Sequence, residues 1–234
     1  MQNRRTLLDC QGERIRRWSK DRGLANVYKA AAIAIIRKDA LKRPMTSNST
    51  AVPFRSHFSA TVPLAFVVLI WTVFVVNVLF PFLHLNSLGI LPRTFSGLKG
   101  VFFAPLLHIS IFHLAANTIP FFVLLFLLNL QSGKRWMEVL IPIWLLSGIG
   151  TWIIGRGGYH HIGASGVIYG LLSYLVVIGF YHRDWKSIAI GLFVLVTYGG
   201  FFMRIFPVYW FYSWEGHLCG AVAGVVLASM NRKG

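Results

Sequence analysis

Apolar residues run along the chain in six blocks: 61–83, 106–130, 136–154, 164–181, 187–206 and 214–230. Each is close to the roughly 20 residues that carry a helix across a bilayer. The pattern predicts an all-α, polytopic membrane protein with six transmembrane helices. The fourth and sixth blocks are short and rich in small residues, which suits helices packed inside a bundle rather than against lipid. The first block lies too far from the start and is too long for the apolar core of a cleavable signal peptide, so it is expected to act as a signal anchor. No internal repeat of useful length is present.

Composition agrees with a membrane protein and excludes an ordinary soluble domain. Of 234 residues, 56% are hydrophobic and only 13% charged, and the mean hydropathy is +0.62. Charge divides the chain in two. Residues 1–57 hold 13 of the 23 Lys and Arg and 4 of the 7 Asp and Glu, so much of the net charge of +16 belongs to an N-terminal extension. We read 1–57 as a basic cytoplasmic arm, disordered or lying on the membrane surface, and 58–234 as the transmembrane domain. A basic tail on such a chain fits anionic lipid, not nucleic acid. Within it, 27–43 reads either as a basic amphipathic helix on the lipid surface or as a loosely ordered arm, and 43–53 reads as a linker. Met45 offers an alternative start of translation, which would leave the preceding residues out of the protein. Cys10 and Cys219 lie in unrelated contexts and imply no disulfide framework.

Basic residues also set the orientation. Lys134 and Arg135, Arg183 and Lys186, and Arg232 and Lys233 mark three ends on the side of the tail. Arg93, Lys99, Arg156 and Arg204 mark the other side more weakly. The positive-inside rule then puts both termini in the cytoplasm. Spans two, four and six run from outside to inside, so His108, His113 and Asn117, then Ser165, then His217 all reach a similar depth, just below the outer surface.

Taken singly, each of these residues has a structural explanation. A membrane serine bonds its own helix backbone, and a His or Asn joins helices by a hydrogen bond. Their convergence at one depth favours chemistry, because polar groups in a bilayer are costly. Glycine spacing adds to this. Gly166 and Gly170 are four apart, as are Gly216, Gly220 and Gly224, and small residues at that spacing let helix backbones approach closely. Where these faces meet, Ser165 and His217 come within hydrogen-bonding reach, which makes a nucleophile and its base. Donors for a developing oxyanion are available in the Ser165 N–H, the His113 ring and the Asn117 amide. A metal held by His108, His113 and His217 is the alternative, but the set lacks the carboxylates or thiolates that usually complete such a site. No metal and no cofactor is therefore expected. Among the three acids outside the tail, Glu138 and Asp184 fall at the cytoplasmic side, and Glu215 precedes His217 by two and occupies another helical face. A Ser–His dyad without an acid is the expectation, with His217 oriented by packing, for instance against an aromatic ring.

The chain resembles the rhomboid intramembrane serine proteases over about residues 60–230. "HISIFHLAAN" (108–117) is similar to their H-x4-H-x3-N segment, "GASG" (163–166) to their G-x-S-G nucleophile motif, and "GHLCGAVAG" (216–224) to their H-x2-G-x3-G segment. All three fall in the family's order on the second, fourth and sixth spans. The resemblance implies that Ser165 is the nucleophile and His217 the general base and acid. It implies that His113, Asn117 and the Ser165 N–H form the oxyanion hole and that Tyr169 packs on the His217 ring. Gly163 would leave room at the nucleophile, Gly220 and Gly224 would permit the close helix contact that Gly166 meets, and His108 would support the neighbouring loop or water access. One feature departs from the pattern: "SGLKGVFFAPLLH" (96–108) lacks the Trp-Arg pair that many bacterial members carry before the second span.

The resemblance further implies hydrolysis of peptide bonds in or near transmembrane segments of other membrane proteins, at the outer face of a bacterial plasma membrane. The polar stretch "GRGGYHHIG" (155–163) would line a water path or serve simply as a flexible loop. The aromatic run "YWFYSW" (209–214) reads first as an interfacial belt and second as a gate. Two rival classes are a small transporter, for which repeat symmetry or broken paired helices are missing, and a catalytically silent rhomboid-like scaffold that binds transmembrane helices.

Overall fold

The computed structural model describes residues 60–207 and 212–231. The tail readings over 1–57, Tyr209, Trp210 and Phe211 of the aromatic run, and Arg232 and Lys233 lie outside the described residues. Among the described residues the regular structure is helical. Six α-helices carry the fold: α1 (Thr61–Leu79), α2 (Ile111–Ser132), α3 (Trp136–Ile154), α4 (Ser165–His182), α5 (Trp185–Tyr198) and α6 (Trp214–Met230). Four helical stretches among the described residues are long and apolar enough to cross a membrane. The stretch Ile111–Ile154 contains both α2 and α3, and α6, at 17 residues, is a shorter apolar helix.

The ends of these helices follow from local chemistry. The first apolar block was expected to run to 83, but α1 stops at Leu79. Pro81 opens a separate short turn, since proline has no N–H to continue a helix. The second block was expected from 106. Instead, 96–106 forms short helical turns, and α2 starts after Ser110, whose hydroxyl accepts the His113 N–H at 3.2 Å. That bond satisfies one of the donors a helix start leaves open. Asp184 caps α5 in the same way, accepting the Ser187 N–H at 3.0 Å. Hydrogen bonds from the Ser187 side chain and backbone hold its carboxyl below the ordinary carboxylate value. The fifth block was expected to be one helix to 206. It divides into α5 and a 3-10 stretch, Gly199–Ile205.

α4 is the most enclosed helix. It packs most extensively on α6, and also on α5, α3 and α2. Its buried residues, among them Val167, Ile168, Leu171, Leu172 and Leu175, share the core with buried Leu114 and Leu124 of α2 and Ile143 and Leu146 of α3. α1 is the most exposed of the long helices. It is tied to α2 by the Trp71 indole N–H, which donates to Thr118 Oγ1 at 3.0 Å. In lipid such packing rests on dispersion contacts and interhelical hydrogen bonds, not on expulsion of water. The connection from α1 to α2 is fixed against α3: the indoles of Trp144 and Trp152 donate to the carbonyls of Val101 and Thr94 at 3.1 and 2.8 Å. Ile90 and His161 then exchange backbone hydrogen bonds of 3.0 and 2.8 Å, joining that connection to the segment leading into α4.

Candidate active site

Ser165 is the first residue of α4, and the turn before it requires glycine. Gly163 has φ +117°, a region that side chains disfavour. A Cβ there would come within 2.7 Å of the His113 ring. The Gly163 N–H donates to the Ala104 carbonyl at 2.8 Å, so both sides of this turn are held. As the first residue of the helix, Ser165 presents a backbone N–H with no intrahelical acceptor.

α6 brings His217 to the same point. A Cβ on Gly220 would run into the Gly166 carbonyl oxygen, and one on Gly224 would do the same at Gly170. The glycine faces expected to meet therefore do meet, backbone against backbone. Within this contact Ser165 Oγ lies 3.1 Å from His217 Nε2. The other ring nitrogen, Nδ1, is 3.0 Å from the Arg204 carbonyl oxygen. A carbonyl only accepts, so Nδ1 carries the proton, and Nε2 offers its lone pair to the Ser165 hydroxyl. The Tyr169 ring stacks on the imidazole, with centroids 4.2 Å apart and planes 11° from parallel. Its hydroxyl donates to the Phe201 carbonyl at 2.7 Å. The 3-10 stretch after α5 is thus bonded by both Tyr169 and His217.

Three further expected residues, His108, His113 and Asn117, lie at or near the start of α2. His113 faces Gly163. Asn117 is buried one turn along α2, and its Nδ2 donates to the His113 carbonyl at 2.8 Å, which occupies one of its two amide hydrogens. His108 is buried beside His113, ring centroids 5.1 Å apart. Gly166 has more room than the other helix-contact glycines: a Cβ there would meet the Gly216 carbonyl oxygen at 3.4 Å, an ordinary contact. Among the described residues no group of three His, Cys, Asp or Glu side chains is placed to hold a metal ion.

Several contacts at the site were not anticipated. Glu215, set aside as facing away from His217, is 1% exposed. Its Oε1 accepts from Arg156 Nε at 2.5 Å. His161 Nδ1 is 2.6 Å from Ser213 Oγ, and burial holds this imidazole below its ordinary value. A cavity lies against Ser165, lined in part by Ser147, Thr151, His161, Gly163, Ser213 and Gly216. The Arg204 carbonyl has no side-chain signature in the sequence, and the Arg156–Glu215 pair joins residues 59 apart.

Comparison with known proteins agrees with these motifs. The Rhomboid domain family matches residues 96–233. A protein of Mycobacterium tuberculosis, named as uncharacterized, is 43% identical over 208 residues, covering 86% of each chain. One of Mycobacterium leprae, also named as uncharacterized, is 45% identical over 140 residues, covering 56% of this chain and 55% of its own. A protein of Acanthamoeba polyphaga mimivirus named as a rhomboid protein is 33% identical over 125 residues, covering 51% of this chain and 67% of its own. With its apolar helices and this match to more than half its length, the chain is an integral membrane protein that belongs to the rhomboid family.

Proposed function

We propose that the protein is an intramembrane serine protease that cleaves peptide bonds in or near the transmembrane segments of other membrane proteins. The observation that carries this reading is the 3.1 Å contact between Ser165 Oγ and His217 Nε2, with Nδ1 bonded to a carbonyl. In this reading His217 takes the hydroxyl proton as Ser165 attacks the scissile carbonyl, then returns it to the leaving amine. Water cleaves the acyl-enzyme with the same imidazole as base. The oxyanion forms beside the Ser165 N–H, the His113 ring and the free amide hydrogen of Asn117, donors that act most strongly where bulk water is excluded. Tyr169 and the Arg204 carbonyl do for His217 what a carboxylate does in a triad: they hold the ring and its tautomer. In this reading the water is held in the cavity beside Ser165, where Ser147, Thr151, His161 and Ser213 supply polar groups among apolar ones.

The six α-helices are read as six spans with both termini in the cytoplasm, the basic residues 1–57 as an arm outside the catalytic bundle of 58–234, and the site as facing outward. Mycobacterial relatives support a bacterial plasma membrane as the location. Small residues near the cut and an easily unwound helix are the expected substrate features. The test is cleavage of a single-span substrate in liposomes by wild type, Ser165→Ala and His217→Ala. Product from wild type alone is expected. Equal product from all three would overturn the protease reading and leave a helix-binding scaffold.

A further inference from the structure

We propose that Arg156 and Glu215, together with His161 and Ser213, form a clasp that positions Ser165 against His217. The inference rests on the protease reading above and assigns positioning residues to it. The two reacting side chains stand in the first turns of different helices. Ser165 follows the segment between α3 and α4, and His217 follows the residues that open α6. Two cross-links join these approaches. Arg156 Nε and the Arg156 backbone N–H both donate to Glu215 Oε1, at 2.5 and 3.3 Å, and Arg156 Nη2 donates to the Tyr212 carbonyl at 2.7 Å. His161 bonds Ser213 Oγ through Nδ1 at 2.6 Å, while its Nε2 lies 2.9 Å from the Arg156 carbonyl oxygen. That carbonyl fixes the His161 tautomer with the proton on Nε2, so Ser213 donates to Nδ1. The two cross-links are therefore joined through one residue, Arg156.

Stability alone does not explain the pair. Glu215 is 1% exposed, and a buried ion pair is often no more stabilising than apolar residues of the same volume. Direction is what this pair supplies. One carboxylate oxygen collects a side-chain and a backbone donor from a single residue, which fixes that residue's backbone relative to α6. The clasp is anchored from a third side by the Ile90–His161 backbone bonds and by the Gly163 N–H to Ala104 carbonyl bond. Other charged or titratable groups also hold the segment: Arg93 donates to the Gly155 carbonyl at 2.7 Å, and the Tyr159 ring lies 5.6 Å from the Arg156 guanidinium. Glu215 sits two residues before His217 and is not bonded to it, so it acts through backbone placement and not as a member of the dyad.

The test uses the purified full chain and two readouts: kcat and KM on a single-span substrate, and the rate at which a fluorophosphonate labels Ser165. Glu215→Gln and Arg156→Gln are expected to lower kcat and the labelling rate together by about ten- to a hundredfold, the loss that follows a displacement of about 1 Å in a positioned group. KM is expected to stay within about twofold, because the two side chains act on the placement of Ser165 and His217 and not on substrate. Arg156→Lys, which keeps the charge, recovers part of the rate, and Ser213→Thr, which keeps the hydroxyl, exceeds Ser213→Ala. Folded Glu215→Gln and Arg156→Gln proteins with wild-type kcat and labelling overturn the clasp while leaving the protease reading intact. Should those two variants fail to fold, equal wild-type rates in Ser213→Ala and Ser213→Thr overturn it instead. Wild-type protein whose Ser165 is neither labelled nor needed for cleavage overturns the protease reading and the clasp with it.

Discussion

Replacing Gly220 with alanine is the sharpest test of the helix contact, because its effect can be worked out atom by atom. The added Cβ would overlap the Gly166 carbonyl oxygen and stand 2.9 Å from the carbonyl carbon and 3.3 Å from Gly166 Cα. Carbon pairs rest at about 3.5–4.0 Å, so α4 and α6 must part by roughly 1 Å. These atoms are backbone, and no rotamer change relieves the overlap. The same separation would carry the Ser165–His217 contact from 3.1 Å beyond hydrogen-bonding range. Two effects should appear together: a stability loss of about 1–3 kcal/mol from overpacking, and a fall in kcat of about a hundredfold, equivalent to about 2.7 kcal/mol in the barrier. Gly166→Ala is the matched control. Its Cβ would lie 3.4 Å from the Gly216 carbonyl oxygen and 3.5 Å from Ser147 Oγ, so its kcat should stay within a few-fold of wild type. The assay is kcat on a single-span substrate beside thermal unfolding in the same detergent. Wild-type turnover in Gly220→Ala, or equal damage from both substitutions, would mean that the Gly220–Gly166 contact does not set the Ser165–His217 distance.

Two further outcomes follow from the same geometry. Tyr169→Phe keeps the ring stacked on His217 but strands the Phe201 carbonyl, which should cost about 1 kcal/mol and lower kcat only modestly; Tyr169→Ala, which also removes the stack, should lower kcat much further, and equal rates for the two would contradict the stacking role. His161 is held below its ordinary value by burial, so the folded protein binds fewer protons at this site than the unfolded chain. Its contribution is then complete above a pH of about 6.5 and is lost as pH falls through that value towards the lowered one. His161→Gln should therefore show a shallower decline in thermal midpoint on acidification than wild type, and parallel declines would contradict the assignment.

Much of this arrangement is legible in the sequence because bilayers leave few choices. Runs of about 20 apolar residues can only be helices there, and alternating direction brings His113, Ser165 and His217 to one depth before any contact is known. The spacing of Gly216, Gly220 and Gly224 likewise marks the face of α6 that meets α4. What stays hidden is of three kinds. Backbone acceptors have no side-chain signature, so the Arg204 carbonyl that orients His217 is invisible until α5 is seen to end in a 3-10 stretch. Pairs between a loop and the start of a distant helix have no periodicity, so Glu215 reads as an acid on an unhelpful face until Arg156 is found against it. Asn117 shows a third difficulty: one of its amide hydrogens is taken by its own helix, and residue type does not reveal how the two are divided.

Whether His217 makes the Ser165 hydroxyl nucleophilic is read out by labelling with a fluorophosphonate, followed by mass mapping of the modified peptide. A single adduct on Ser165 is expected in the wild-type protein, with labelling lost in Ser165→Ala and slowed by orders of magnitude in His217→Ala. Labelling of His217→Ala at the wild-type rate, or an adduct on another residue with Ser165 unmodified, would contradict this.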